Sequence, residues 1–173
     1  MKKYIRLVYI TIYSTMCIIF IIACAKTPTN LLKETVKRDL KLVYIISDKV
    51  KFYDFGVVNT TPTEVTLEIF KLGNSIGKFV IKNNVLCFLE QCAPKWPASK
   101  SFFGKVSYDN LFEDILRKND IFEGIGKRIE ANNAIIQAFD YGGEKIYYER
   151  NENRVYFKNI TNGVTISIED YEQ

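Results

Sequence analysis

The chain has 173 residues, with 24 Lys and Arg against 20 Asp and Glu, four Cys and no His. That is one domain's worth of protein, and without His there are no imidazole metal ligands and no Ser-His-Asp or Cys-His activation of a nucleophile. Lys2, Lys3 and Arg6 are the only charges in residues 1–23, so without that segment 21 basic groups (24 less 3) face 20 acidic ones, and so even a balance lacks the clustered basic face that nucleic acid requires.

The first element is the cationic flank of Lys2, Lys3 and Arg6, followed from Leu7 to Ala23 by an uncharged, Ile-rich run. This is the pattern of an export signal. An uncleaved anchor is the alternative, since about 17 to 25 apolar residues span a bilayer with the cationic end inside. Either way the remainder is expected outside the cytoplasm. The run closes on Ile21-Ile22-Ala23-Cys24, which resembles the lipobox of bacterial lipoproteins. The resemblance implies removal of residues 1–23, acylation of Cys24 and stable membrane attachment through two or more chains. Ala25, where Asp would favour inner-membrane retention, implies a lipid-anchored, periplasm-facing protein of the outer membrane.

Cys17 falls in the leader and Cys24 goes to lipid, leaving Cys87 and Cys92 as an even pair expected to form a disulfide in an oxidising compartment. Two Cys with no His make no metal site, and nothing in the chain calls for a cofactor. Residues 24–30, with Thr27, Pro28 and Thr29, read as a lipidated tether, and residues 31–173 as one domain. Within it, Leu32, Val36 and Leu40 at i, i+4 and i+8 predict a short helix over 31–39, capped by Thr29 or Asn30.

From Leu40 the period becomes two. Strands are expected near 40–46, 49–58, 64–71, 75–82 and 85–90, with Asn83-Asn84 as a tight turn. The second half repeats the pattern: Ile135, Gln137, Phe139 and Tyr141 run to Gly142-Gly143; Ile146 and Tyr148 to Asn151-Glu152-Asn153; Val155 and Phe157 to Asn162-Gly163; then Val164, Ile166 and Ile168. Between the halves, Ala93-Pro94-Lys95-Trp96-Pro97 cannot be a central strand, because proline lacks a ladder donor. A helix is predicted from Ser107 to Lys118, with Leu111, Phe112, Ile115 and Leu116 on one stripe and a charge order that suits the helix dipole. Residues 119–133 read as a loop or second short helix broken by Gly124 and Gly126, with Ile121, Phe122 and Ile125 buried.

The expected class is α+β, mainly antiparallel β: about nine strands in one curved sheet, a half-open barrel, with one or two helices over the concave side. Motifs of catalysis are fragmentary. Asp54-Phe55-Gly56 lacks every other kinase element. Gly124-Ile125-Gly126-Lys127 has Ile121 and Arg128 where a phosphate loop needs Gly and Ser or Thr, and Gly73 to Lys78 has the wrong spacing. The acidic pairs Glu64 and Glu68, Glu113 and Asp114, and Glu169 and Asp170 read as solvated charge, so a non-enzymatic protein is expected.

A lipidated Cys, a tether, a run of strands, a crossing helix and a closing strand block resemble the LolB family of outer-membrane lipoprotein receptors. Local segments are similar too: Tyr44 to Val50 to the first hairpin, Val65 to Gly73 (VTLEIFKLG) to the strand entering a protruding loop, Ile76 to Leu86 to the pair after it, and Val164 to Tyr171 to the last strand. Lys71 stands where that family usually has Pro. The resemblance implies a half-open barrel that accepts the acyl chains of lipoproteins from a periplasmic carrier, acting as a monomer, with Leu72 as the tip that places them in the membrane. An ordinary turn hydrophobe is the alternative for Leu72.

The concave lining expected for acyl chains comprises Val65, Leu67, Ile69, Phe79, Ile81, Ile135, Phe139, Tyr148, Phe157, Ile166 and Ile168. Apolar transfer at ~0.8 kcal/mol per methylene would make such a trough a strong site. The same residues could instead form a filled core, which would leave a membrane-anchored assembly or interaction protein. Trp96 reads either as a membrane-facing anchor or as a core plug.

Overall fold

The computed structural model describes residues 40–171. The leader, Cys24, the tether and the expected helix over 31–39 lie outside the described residues. The described chain forms one antiparallel sheet of eleven strands: β1 Leu40–Ile46, β2 Lys51–Thr60, β3 Glu64–Lys71, β4 Asn74–Lys82, β5 Val85–Phe88, β6 Gln91–Pro94, β7 Lys127–Ile129, β8 Ile135–Tyr141, β9 Glu144–Arg150, β10 Arg154–Asn159 and β11 Thr165–Asp170. Their order is β6-β5-β4-β3-β2-β1-β11-β10-β9-β8-β7, so the sheet is not closed into a barrel. The first and last strand blocks meet where β1 pairs with β11, Val43 opposite Ile168.

The two strands beyond the nine expected are the edges, β6 and β7, of four and three residues. Neither is long enough for an alternation to stand out, and Pro94 sits on the outermost strand, where a missing donor costs no ladder bond. The Asn83-Asn84 turn is present, with Asn83 at φ 53°. Gly56 in β2 has its own reason to lack a side chain. A Cβ there would lie 2.6 Å from Val43 Cγ2 and 3.0 Å from the Glu68 carbonyl oxygen. Pairing between β2 and β3 ends at this glycine, opposite Ile69.

Two helices cover the concave face: α1, Lys95–Phe103, and α2, Leu111–Leu116. The first was not expected, because Pro94 and Pro97 flank Trp96. In a first helical turn, however, proline loses nothing, since those N–H groups have no partner within the helix. Its buried stripe, Lys95, Ser99 and Phe103, is mostly polar and gives little apolar signal. The second helix is shorter than the predicted 107–118. The Tyr108 carbonyl accepts hydrogen bonds from Ser99 Oγ at 2.7 Å and from Leu111 N at 3.2 Å, so the segment before Leu111 docks on α1 rather than coiling. Lys118, at φ 57°, ends the helix. Residues 119–133 hold a 3₁₀ turn, Phe122–Gly124, and then β7. Ile121 and Phe122 are buried, but Ile125 is 43% exposed, a correction to its expected burial. Gln137 bonds the backbone of this segment at Ile121 and Ile125, which holds the turn down while the Ile125 side chain stays partly in solvent.

The helices are joined head to head by a largely buried cation. Lys95 Nζ donates to Glu113 Oε2 at 2.6 Å and to Asn110 Oδ1 at 3.1 Å, and Arg117 Nε donates to Glu113 Oε1 at 2.8 Å. Glu113 is therefore not the solvated charge its position at a helix start implied. Burial alone would raise its carboxyl, but hydrogen bonds from Lys95 and Arg117 and their charges outweigh this and hold it below the ordinary 4.5. A depressed folded value gives stability that is complete above the unfolded value and lost as pH falls through the folded one. Glu113→Gln is therefore expected to lower stability at pH 7 and to flatten the stability loss below about pH 4.5. Urea unfolding at pH 3, 5 and 7 measures this, and parallel acid limbs for the two proteins would refute it.

Candidate functional site

The inner face of the sheet is packed solid at its middle. Val65, Leu67, Ile69, Ile81, Tyr148, Phe157, Ile166 and Ile168, with Phe79, belong to one buried cluster that also takes in Phe103 of α1 and Leu111, Phe112, Ile115 and Leu116 of α2. Phe139 packs against it half-buried, and Ile135 is half-buried at the start of β8. The helices occupy the space that a central trough would need. Of the eleven expected lining residues, Phe79 faces an apolar groove and Ile168 a separate recess of about 310 Å³ beside Lys41 and Asp170.

The groove, of about 480 Å³, lies at one side, between the β4-β5-β6 edge and the two helices. The sheet contributes Phe79, Leu86, Phe88 and Ala93, α1 contributes Ala98, Phe102 and Phe103, and α2 contributes Phe112. The rings run in series from the edge inward: Phe88 to Phe79 at 4.5 Å, Phe79 to Phe112 at 5.4 Å, Phe112 to Phe102 at 5.7 Å. Phe88 reaches inward because Gly77 leaves room for it. A Cβ on Gly77 would stand 3.0 Å from the Phe88 ring. Behind this wall Cys87 and Cys92 sit directly opposite across the β5-β6 hairpin, Cα atoms 3.9 Å apart, in a disulfide. With β6 paired on one side only, this crosslink ties the outermost strand to the one that carries Leu86 and Phe88.

One end of the sheet collects the groove mouth and two hairpin tips. Lys49 and Val50, in the β1-β2 turn, border the groove there, and Lys49 Nζ hydrogen-bonds Ser101 Oγ of α1. The β3-β4 hairpin projects at the same end. The β2-β3 register ends at Ile69 and the β4-β5 register at Phe79, while β3 and β4 continue past them with Phe70 opposite Ser75 and Lys71 opposite Asn74. Leu72 forms the tip at φ 51° and is 90% exposed. The β5-β6 tip repeats the feature with Leu89, φ 55° and 57% exposed. At the opposite end the β4-β5 turn has Asn83 in that conformation. Bulky residues in the left-handed region are uncommon, and Leu72 has almost no packing to offset the cost, whereas Leu89 is partly covered and its N–H donates to the Lys78 carbonyl at 2.9 Å. Ile76 is exposed on the projecting hairpin, and Trp96, in the first turn of α1, is partly exposed under the Lys100 ammonium. Leu89 and the groove itself were not picked out from sequence. A Leu in a two-residue hairpin loop was the available signal for Leu89.

A second cavity, of about 580 Å³, is bordered by Tyr108, Phe122, Tyr141, Asp114, Asp120 and Glu123. Two of its carboxylates are engaged. Asp114 accepts from the Tyr108 hydroxyl at 2.8 Å and from Asn119 at 3.0 Å, and Asp120 is bonded by Lys127 at 2.7 Å and by Arg150. The Lys127 and Arg150 hydrogen bonds hold Asp120 below the ordinary carboxylate range despite some burial. Burial, with Asp114 beside it, pushes the Tyr108 phenol far up. The Asp120 carboxylate and the Tyr108 phenol so hold their protonation states across neutral pH, which suits a structural network more than proton transfer.

No protein-family model matches the chain, and no curated protein matches it.

Proposed function

We propose that this chain is a lipoprotein anchored through Cys24 on the periplasmic side of the outer membrane, where it takes up acyl chains of other lipoproteins and passes them to the bilayer. The observation that carries this is the pairing, at one end of the sheet, of an apolar groove mouth with a projecting hairpin tip that holds Leu72, 90% exposed, in a backbone conformation leucine disfavours. Strain kept without packing in return marks functional positions. In this scheme the acyl chain lies along Phe88, Phe79 and Phe102, and Leu72, with Leu89 behind it, enters the membrane during transfer. A periplasmic carrier would deliver the cargo, and the step is one of transfer between apolar environments, with no bond made or broken.

The packed middle of the sheet favours one rival, a membrane-anchored assembly or interaction protein that holds no lipid. The two differ in what the groove contains. Mass spectrometry of the domain lacking residues 1–24, purified natively and then denatured, is expected to release co-purified acyl lipid. An empty spectrum, with no binding of a fluorescent fatty acid, would select the rival.

A further inference from the structure

Among the described residues, those bordering the groove include one ionisable side chain, Lys49, and no carboxylate, Cys92 being in the disulfide. Lys49 stands in the turn between β1 and β2, at the mouth, and among the described residues it makes no ion pair. Its partner is the neutral hydroxyl of Ser101 across the groove. A cation held by a hydroxyl at the rim of an apolar slot is arranged for an anion that arrives with an apolar tail. The volume, about 480 Å³, falls toward the small end of the ~300–1,000 Å³ of single-ligand pockets, room for one acyl chain at a time.

Building on the acyl-groove reading above, we infer that the groove selects a single-chain anionic amphiphile, a long-chain carboxylate, with its tail along Phe79, Phe88 and Phe102 and its head between Lys49 and Ser101. One ammonium and one hydroxyl on facing sides of the mouth match the two oxygens of a carboxylate. A phosphomonoester, with up to two charges and three free oxygens, would leave acceptor sites unmet. The head displaces the Lys49 to Ser101 hydrogen bond and replaces it with two charge-assisted ones. The tail accounts for binding as such, and the head for the preference among lipids.

The test uses the full chain in phosphatidylcholine nanodiscs. A diazirine-bearing palmitate is photo-crosslinked, its sites are mapped by peptide mass spectrometry, and the labelling is competed with palmitate, palmityl alcohol and lysophosphatidic acid. Labelling is expected in the peptides holding Phe88 and Phe102, with palmitate competing about tenfold better than the alcohol. Lys49→Gln is expected to erase that difference by weakening palmitate alone, and Ser101→Ala, which frees the ammonium without removing it, to keep it. Equal competition by the alcohol, or an unchanged preference in Lys49→Gln, would overturn the anionic head and leave the acyl groove standing. Tighter competition by lysophosphatidic acid would overturn the carboxylate. No labelling of groove peptides would overturn both this inference and the acyl-transfer function.

Discussion

Leu72→Asn is expected to make the domain more stable and the protein inactive in delivering lipoproteins to membranes. Leu72 and Gly73 are the two central residues of the β3-β4 turn, at φ 51° and 80°, and a turn with both in the left-handed region is the one in which Asn-Gly is preferred. An L-residue with a Cβ pays ~1–2 kcal/mol there, and at 90% exposure Leu72 recovers none of it by packing. Asparagine, which already serves at Asn83 in the neighbouring turn, should therefore add about 1 kcal/mol. Leu72→Glu keeps the strain and places a charge at the tip, so delivery should fall to background while the urea midpoint stays near that of the parent. Reconstituted transfer of a labelled lipoprotein to liposomes reads the first effect and equilibrium unfolding the second. Full transfer by both variants would remove the tip from the mechanism and leave the fold as described.

The largest loss of stability is expected from a polar residue, Gln137→Leu. Gln137 is fully buried on β8. Its Oε1 accepts from the Ile121 N–H at 2.9 Å, and its Nε2 donates to the carbonyls of Ile121 at 2.7 Å and Ile125 at 3.1 Å. The side chain thus acts as a short strand partner for a segment that has none. Leucine is of similar size but would leave the buried Ile121 N–H without its acceptor, at ~1–3 kcal/mol for a buried group left unsatisfied, and would take a donor from the Ile125 carbonyl and from the Ile121 carbonyl, which keeps the Gly124 N–H at 2.9 Å. A total loss of about 3 kcal/mol is expected, seen as a lowered urea midpoint at an unchanged m-value. Fast hydrogen exchange at Ile121 should accompany it. A loss below about 1 kcal/mol would mean that water replaces the amide.

The strand blocks could be read from sequence because each strand is buried on one face, which writes a period of two into Val65, Leu67 and Ile69 or Val155 and Phe157. The same pattern placed Gln137 on the inner side, but its partners belong to a segment twelve to sixteen residues away that becomes a neighbour only on folding. Helix α1 was hidden for the opposite reason. Its buried face is Lys95, Ser99 and Phe103, whose burial depends on Glu113 and the Tyr108 carbonyl rather than on hydrophobicity. The residues expected to line a trough form most of a core, because periodicity reports which side of a strand avoids water and not whether protein or ligand meets it there. Only the placement of Phe102, Phe103 and Phe112 over the sheet decided that question.

By itself the sequence determined the antiparallel strand grammar and the turns at Asn83, Gly142 and Gly163, since each follows from local backbone preference or from one-sided burial, while the Cys87 and Cys92 pair was legible from the cysteine count and Leu72 only through a family resemblance. The tertiary structure decided where empty apolar space remains, that Lys49 stands at its mouth, and that Leu72 and Leu89 share its end of the sheet. Those are relations between segments far apart in the chain, and they come into being only when strand pairing and helix docking bring the segments to one place.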